Sequence, residues 1–221
     1  MRTPVPDIFD EVDEELRADR AASLLKKYGG VLIAAAVVVV AGAGGWQAWQ
    51  WYDAKQRAAL ADSYLAAMNT ADKTKGAGKQ AAQAEFAAVA AKASGGYRTL
   101  SLLREAALKA DAGDLAGASE LWDRVGADGG ADRVLRDLAN LQWALHQLDV
   151  ADPAVVTARL QPLASPENPW HAMAEEAQAM LSLRLGKTEA ARDVLKQLAQ
   201  DVTAPAGVRS RANGLLSRLG S

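Results

Sequence analysis

No cysteine occurs anywhere in the 221 residues. That excludes a disulfide framework, a thiol nucleophile and a thiolate metal site, and it is compatible with an oxidising compartment. Only two histidines are present, His146 and His171, far apart in the chain and without an H-E-x-x-H or a clustered acid beside them. Each therefore reads as a core-edge or surface residue rather than a ligand or base. From Asp53 onward 20 basic residues face 20 acidic ones. This balance lacks the positive field that nucleic acid requires. Gly126-Ala127-Asp128-Gly129-Gly130 lacks the G-K-[S/T] ending of a phosphate loop, and no serine stands in a G-x-S-x-G elbow. Acid pairs such as Glu14-Glu15 and Glu175-Glu176 read as ordinary solvated helix positions. The expectation is no enzyme, no cofactor and no metal.

What is present begins with one apolar run. Tyr28–Trp46 is nineteen residues without a charge. As a helix it would span roughly 29 Å at about 1.5 Å per residue, close to the ~30 Å hydrocarbon core of a bilayer. Three readings compete: a cleaved signal peptide, a buried core helix and a retained single-pass anchor. The 27 residues before the run hold seven acids and five bases, unlike the short positive start of a signal peptide. Core helices rarely stay uncharged for so long. Tyr28 at one end and Trp46, Trp49, Trp51 and Tyr52 at the other suit the two headgroup levels, so the anchor is favoured. Arg17, Arg20, Lys26 and Lys27 precede the run, whereas Lys55 and Arg57 follow it. That bias sets the N-terminus in the cytoplasm and the C-terminal domain outside. Gly42, Gly44 and Gly45 either allow close helix approach or are simply tolerated there.

The remaining residues read as helices throughout. Alanine and leucine dominate, and no stretch sustains the period-two alternation of a strand. In the tail a helix could start at Asp7, a capping side chain, with Ile8, Phe9, Val12 and Leu16 on one face. This acidic amphipathic helix is a candidate docking surface for a cytoplasmic protein, because anionic lipid would repel it; a solvated lead-in helix is the other reading. After the run the helical pattern continues to Asp72, with a loop at Lys73–Gly78, a helix at Lys79–Ala93 and a break at Ser94-Gly95-Gly96. Further helices are expected at 97–112, 114–126, 131–149, 153–162, 169–185, 187–201 and 205–219.

Two of these helix junctions align. Gly113, Ala118 and Trp122 share their spacing with Gly186, Ala191 and Leu195, and the glycines lie 73 residues apart. That is about two periods of a repeat of 34–36 residues. Glycine can end the first helix of a hairpin, a small alanine lets the second approach, and a large residue one turn on fills the shared core. A middle unit at about 131–163 would complete the series, but it is degenerate and lacks the glycine. An alanine-rich bundle with a chance match is the alternative to a repeat stack, which the paired copies favour.

The aligned segments resemble the second helices of tetratricopeptide repeats. Asp7-Ile8-Phe9-Asp10-Glu11-Val12, Lys27-Tyr28-Gly29, Asn168-Pro169-Trp170 and the run Ala204-Pro205-Ala206-Gly207-Val208-Arg209 make the whole chain resemble the YfgM-like family of bacterial inner-membrane proteins. The likeness is to the version found in alphaproteobacteria. It implies an all-α fold, with a single transmembrane helix followed by a tetratricopeptide-like stack of helical hairpins. The expected division is a cytoplasmic tail at 1–27, a transmembrane helix at 28–52, a linker and first hairpin at 53–95, and the repeat domain at 96–221. By resemblance the partners are subunits of the SecYEG translocon, periplasmic chaperones or exported chains. A scaffold for cell-envelope assembly or division is the runner-up, built from the same parts.

Overall fold

The computed structural model describes the backbone of residues 8–73 and 77–220 and the side chains of 26–73 and 79–220. Asp7 and the side chains of Ile8, Phe9, Val12 and Leu16 lie outside the described residues. Among those described, all regular structure is helical. The helices are α1 (Ile8–Lys73), α2 (Ala77–Lys92), α3 (Gly95–Asp111), α4 (Leu115–Gly126), α5 (Arg133–Gln147), α6 (Pro153–Leu160), α7 (His171–Arg184), α8 (Thr188–Gln200) and α9 (Ala206–Leu219). The chain divides into two compact units, Met1–Ala58 and Ala59–Ser221.

In the first unit the apolar run is helical, and none of its most apolar window is buried. It is apolar all round rather than along one stripe, so it needs a bilayer or other apolar surroundings. In a bilayer a helix also satisfies every backbone N–H and C=O internally. It is a candidate single membrane span. Each end carries a cation over an aromatic ring: Lys27 Nζ lies 5.4 Å from the Tyr28 ring centre, and Lys55 Nζ lies 5.3 Å from that of Trp51. Trp46 and Trp49 meet edge to face at 6.0 Å. Arg57 pairs with Asp53 at 2.6 Å one turn back.

The second unit is a run of antiparallel helices in which each packs on the next. Ala59 to Lys73 belongs to this unit, where Ala67, Ala82 and Phe86 form a small core. Tyr64 meets Phe86 edge to face at 5.6 Å. Ser94 precedes α3, and Gly95 turns the chain with φ +58°. The break expected at Ser94–Gly96 is therefore shorter, and both glycines join the helix.

The α3–α4 and α7–α8 junctions share one turn. Gly113 adopts φ +87° and Gly186 φ +72°, a region that glycine enters without a Cβ penalty. Asp114 N donates to Lys109 O at 2.9 Å and Gly113 N to Ala110 O at 2.9 Å. Lys187 N donates to Ser182 O at 2.8 Å and Gly186 N to Leu183 O at 3.0 Å. Both are Schellman closures, which satisfy the last carbonyls of the first helix. Asp114 then caps α4 by accepting from Gly117 N at 2.9 Å, and it holds Lys109 Nζ at 3.0 Å. These bonds, Gly117 first, depress the Asp114 carboxyl pKa, and the same carboxylate raises that of Lys109.

The α5–α6 junction has no glycine and solves the problem differently. Arg184, at the end of α7, donates through Nη1 to Leu148 O at 2.6 Å and to Ala151 O at 2.9 Å. A side chain from the following hairpin thus satisfies the carbonyls exposed at this turn. Asp132 and Asp152 cap α5 and α6, accepting from Val134 N and Ala154 N at 2.8 Å each. The cap moves the start of α5 to Arg133, two residues beyond the expected 131. At the other end of α6, Pro162 has no N–H to continue the ladder, so Gln161–Ala164 tightens into a 3-10 turn. Asn168 is buried, donates to Asp137 Oδ2 at 2.9 Å and accepts from Trp170 N at 2.9 Å. Trp170 Nε1 donates to Val134 O at 2.9 Å.

Alanine sets the spacing between helices. Ala106, Ala118, Ala139, Ala174 and Ala191 are fully enclosed. Larger side chains fill the layers between them: Trp122, Leu160 and Leu163 in one core, Leu195, Leu198 and Val208 in the next. Arg159 from α6 lies 3.8 Å over the Trp143 ring and pairs with Asp123 of α4 at 2.6 Å, fastening the second helices of successive hairpins.

Candidate functional site

Helices α3, α5, α7 and α9 touch one another in alternation, α3 to α5, α5 to α7 and α7 to α9. They form one face of the second unit. Helices α4, α6 and α8 pack between them in sequence order. A cleft of about 610 Å³ opens on that face between α5, α7 and α9. Its floor is apolar: Leu141 is buried, and Leu145, Met173, Met180 and Leu215 are half-buried. A second cleft of about 330 Å³ lies between Tyr64, α3 and α5, and Gln142 borders both. The two therefore follow one another along the face.

The spacing of the lining residues follows from the helical repeat. Leu141 and Leu145 lie one turn apart on α5; Met173 and Met180, and Arg211 and Arg218, lie two turns apart on α7 and α9. Gly214 sits between the two arginines, and a Cβ added there would meet nothing within 4 Å. Inside a helix glycine costs about 0.5–1 kcal/mol relative to alanine. Its presence here leaves the cleft wall low.

One ion pair crosses the cleft. Glu176 on α7 is 4% exposed, and Arg211 grips it with both arms of the guanidinium, Nε to Oε1 at 2.7 Å and Nη2 to Oε2 at 2.6 Å. The bond to Glu176 raises the Arg211 pKa further. This corrects the reading of Glu175-Glu176 as ordinary solvated acids: the helical rotation of about 100° between neighbours turns Glu176 inward, where a charge survives only with a partner. Arg218 in this cleft and Arg104 in the second have no carboxylate within ion-pair distance among the described residues.

The residues singled out by the repeat lie mostly away from this face. Gly113 and Gly186 form turns, while Ala118, Ala191 and Leu195 are enclosed between helices. Trp122 is almost wholly buried and borders the second cleft with one edge. His146 stacks on Trp122 at 4.7 Å and places Nδ1 2.9 Å from Gln142 O. His171 Nδ1 lies 3.0 Å from Asn168 O. No group of three or more His, Asp or Glu that could hold a metal occurs among the described residues. Sequence reasoning missed the cleft itself. The available signals were Gly214 within a helix and the seven-residue pairs Met173/Met180 and Arg211/Arg218.

Successive hairpins with an alternate-helix face and an apolar cleft define a helical-repeat protein whose open face is suited to holding polypeptide. Residues 23–211 match the family model of the tetratricopeptide repeat-like domain, and the chain belongs to that family. Domains of this kind are typically non-catalytic scaffolds for protein interaction. No curated protein and no solved structure matches the chain.

Proposed function

We propose that this protein is a single-pass inner-membrane scaffold at the Sec translocon. Its N-terminal tail lies in the cytoplasm, and its repeat domain faces the periplasm. The anchor sits beside the channel, and the repeats hold periplasmic chaperones or newly exported chains. The observation that carries the binding role is the 610 Å³ cleft with an apolar floor on the alternate-helix face. Its apolar floor and its place on an open helical face suit the side chains of a bound segment. The candidate span and its flanking bases support the anchoring and the orientation. Resemblance to the YfgM-like family supports the translocon.

Photo-crosslinking from Trp46 and Trp49 positions in living cells tests the placement. Channel subunits are the expected products, and capture of envelope synthases alone would replace the translocon reading with the envelope-assembly one. A reporter that is active only outside the cytoplasm, fused after Ser221, should be active. Activity of a cytoplasm-only reporter at the same place would reverse the orientation.

A further inference from the structure

The chain has no cysteine, so its only sulfur atoms are the thioethers of four methionines. Met1 lies outside the described residues. Met68 packs on the small core of Ala67, Ala82 and Phe86 and borders a separate cleft with Asp72 and Asp111. The other two form a pair. Met173 and Met180 lie two turns apart on α7, both half-buried and both lining the 610 Å³ cleft. Glu176 stands three residues from one and four from the other, so all three share one face of the helix. With Leu141, Leu145 and Leu215 the two methionines make up the apolar floor. The most easily oxidised aliphatic side chains of the repeat face are thus part of the surface proposed to hold a partner.

We infer that Met173 and Met180 form a reversible oxidation site that switches the cleft between an apolar and a polar state. This rests on the proposed protein-binding role and adds its regulation. The oxidant class is a peroxide. The thioether lone pair attacks one peroxide oxygen and the O–O bond breaks. The proton on the transferred oxygen passes to the departing hydroxide, which leaves as water. Sulfur gives up two electrons and the peroxide takes them. The sulfoxide replaces a flexible apolar side chain by a polar, chiral one, which disrupts a methionine-rich binding surface. In a sealed core the new oxygen would have no donor, and the fold would suffer. Here Gln142 and Arg211 border the same cleft and carry N–H groups suited to it. The reduced floor accepts apolar side chains of a bound segment, and the oxidised floor holds water instead. Two thiols reverse the step: they become a disulfide, and the sulfoxide oxygen leaves as water.

The test uses the full chain in nanodiscs, with Gly214→Cys labelled by the polarity-sensitive dye acrylodan. The chain has no other cysteine, and a side chain at this position enters open space at the cleft. Dilute hydrogen peroxide is added, and peptide mass spectrometry follows each methionine. One oxygen should appear on Met173 and one on Met180 while circular dichroism stays unchanged, and the dye emission should move to longer wavelength. Methionine sulfoxide reductases with dithiothreitol should return the emission to its starting wavelength. The same dose should leave the emission of the Met173→Leu/Met180→Leu protein in place, a control that also accounts for the thioether linking the dye. Met68→Leu should respond as the parent does. Resistance of Met173 and Met180 in the folded chain would overturn the oxidation site. Oxidation of both without a shift in emission would overturn the polarity switch, and loss of the helical signal would show a lesion in its place. Photo-crosslinking from position 145 in living cells separates the regulation from the binding role. Polypeptide should be captured in untreated cells and not after peroxide; capture in both overturns the regulation alone, and capture in neither overturns the binding role.

Discussion

Three glycine-to-alanine substitutions should move stability in opposite directions. At Gly113, Gly186 and Gly214 an added Cβ meets nothing within 4 Å, so no clash contributes. What differs is the backbone. Gly113 and Gly186 lie at φ +87° and +72°, where an L residue pays about 1–2 kcal/mol. Alanine also narrows the unfolded ensemble, which returns about 0.4–1 kcal/mol. The net expectation for Gly113→Ala or Gly186→Ala is a loss of about 1 kcal/mol. Gly214 is helical, so Gly214→Ala should gain about 0.5–1 kcal/mol. The two kinds of variant then differ by about 2 kcal/mol, or roughly 4–8 °C in melting temperature for a unit of this size. Thermal melts of the full chain in mild detergent, followed by circular dichroism and by tryptophan emission, measure the difference. A Gly214→Ala protein that melts below the parent would refute the claim that open space and an ordinary helix surround that position. A Gly186→Ala protein that melts above it would refute the αL turn.

Three other substitutions probe different forces. Arg184→Ala leaves Leu148 O and Ala151 O without their donor and should cost about 1 kcal/mol, below the usual ~1.5–3 kcal/mol of a charged hydrogen bond because the residue is exposed; urea denaturation would read it, and an unchanged midpoint would mean water replaces the arginine freely. Trp122→Ala removes an almost wholly buried indole and should cost about 3–5 kcal/mol, enough that the variant's urea midpoint drops sharply or the unit fails to fold. Asp114 has a folded pKa below its ordinary 3.8, so its contribution to stability is full above that value and fades as the pH falls through the depressed one. Asp114→Asn, which retains a capping oxygen, should therefore make acid unfolding less steep below about pH 4; an unchanged acid transition would show that the carboxylate contributes nothing there.

The all-helical class was legible because helix punctuation is local. Asp152-Pro153, Pro205 and the glycines at 113 and 186 are read from a few adjacent residues, and each has its own backbone consequence. Boundaries moved where side chains decided them. Asp132 caps α5 later than hydrophobic pattern alone suggests, and Pro162 converts the end of α6 to a 3-10 turn. The open face was not legible. Leu141 and Met173 look like core residues in sequence, and only the contact of α5 with α7 and of α7 with α9 turns them towards a cleft. Glu176 differs from Glu175 by one position, yet its environment depends on Arg211, 35 residues away. No periodicity within a single helix encodes that pairing.

The arginine that closes the middle turn has a consequence for how the unit opens. A stack of self-contained hairpins can lose one from the end while the next stays intact, with each boundary contributing its own increment. Here the α5–α6 turn borrows a donor from α7, so the α7–α8 hairpin cannot peel away without exposing carbonyls of the α5–α6 turn. Fraying from the C-terminal side would therefore cross α8–α9 in one step and α5–α7 together in another. In native-state hydrogen exchange, amides of α5 and α7 would open as one cooperative block, which keeps the two walls that share the larger cleft rising and falling together.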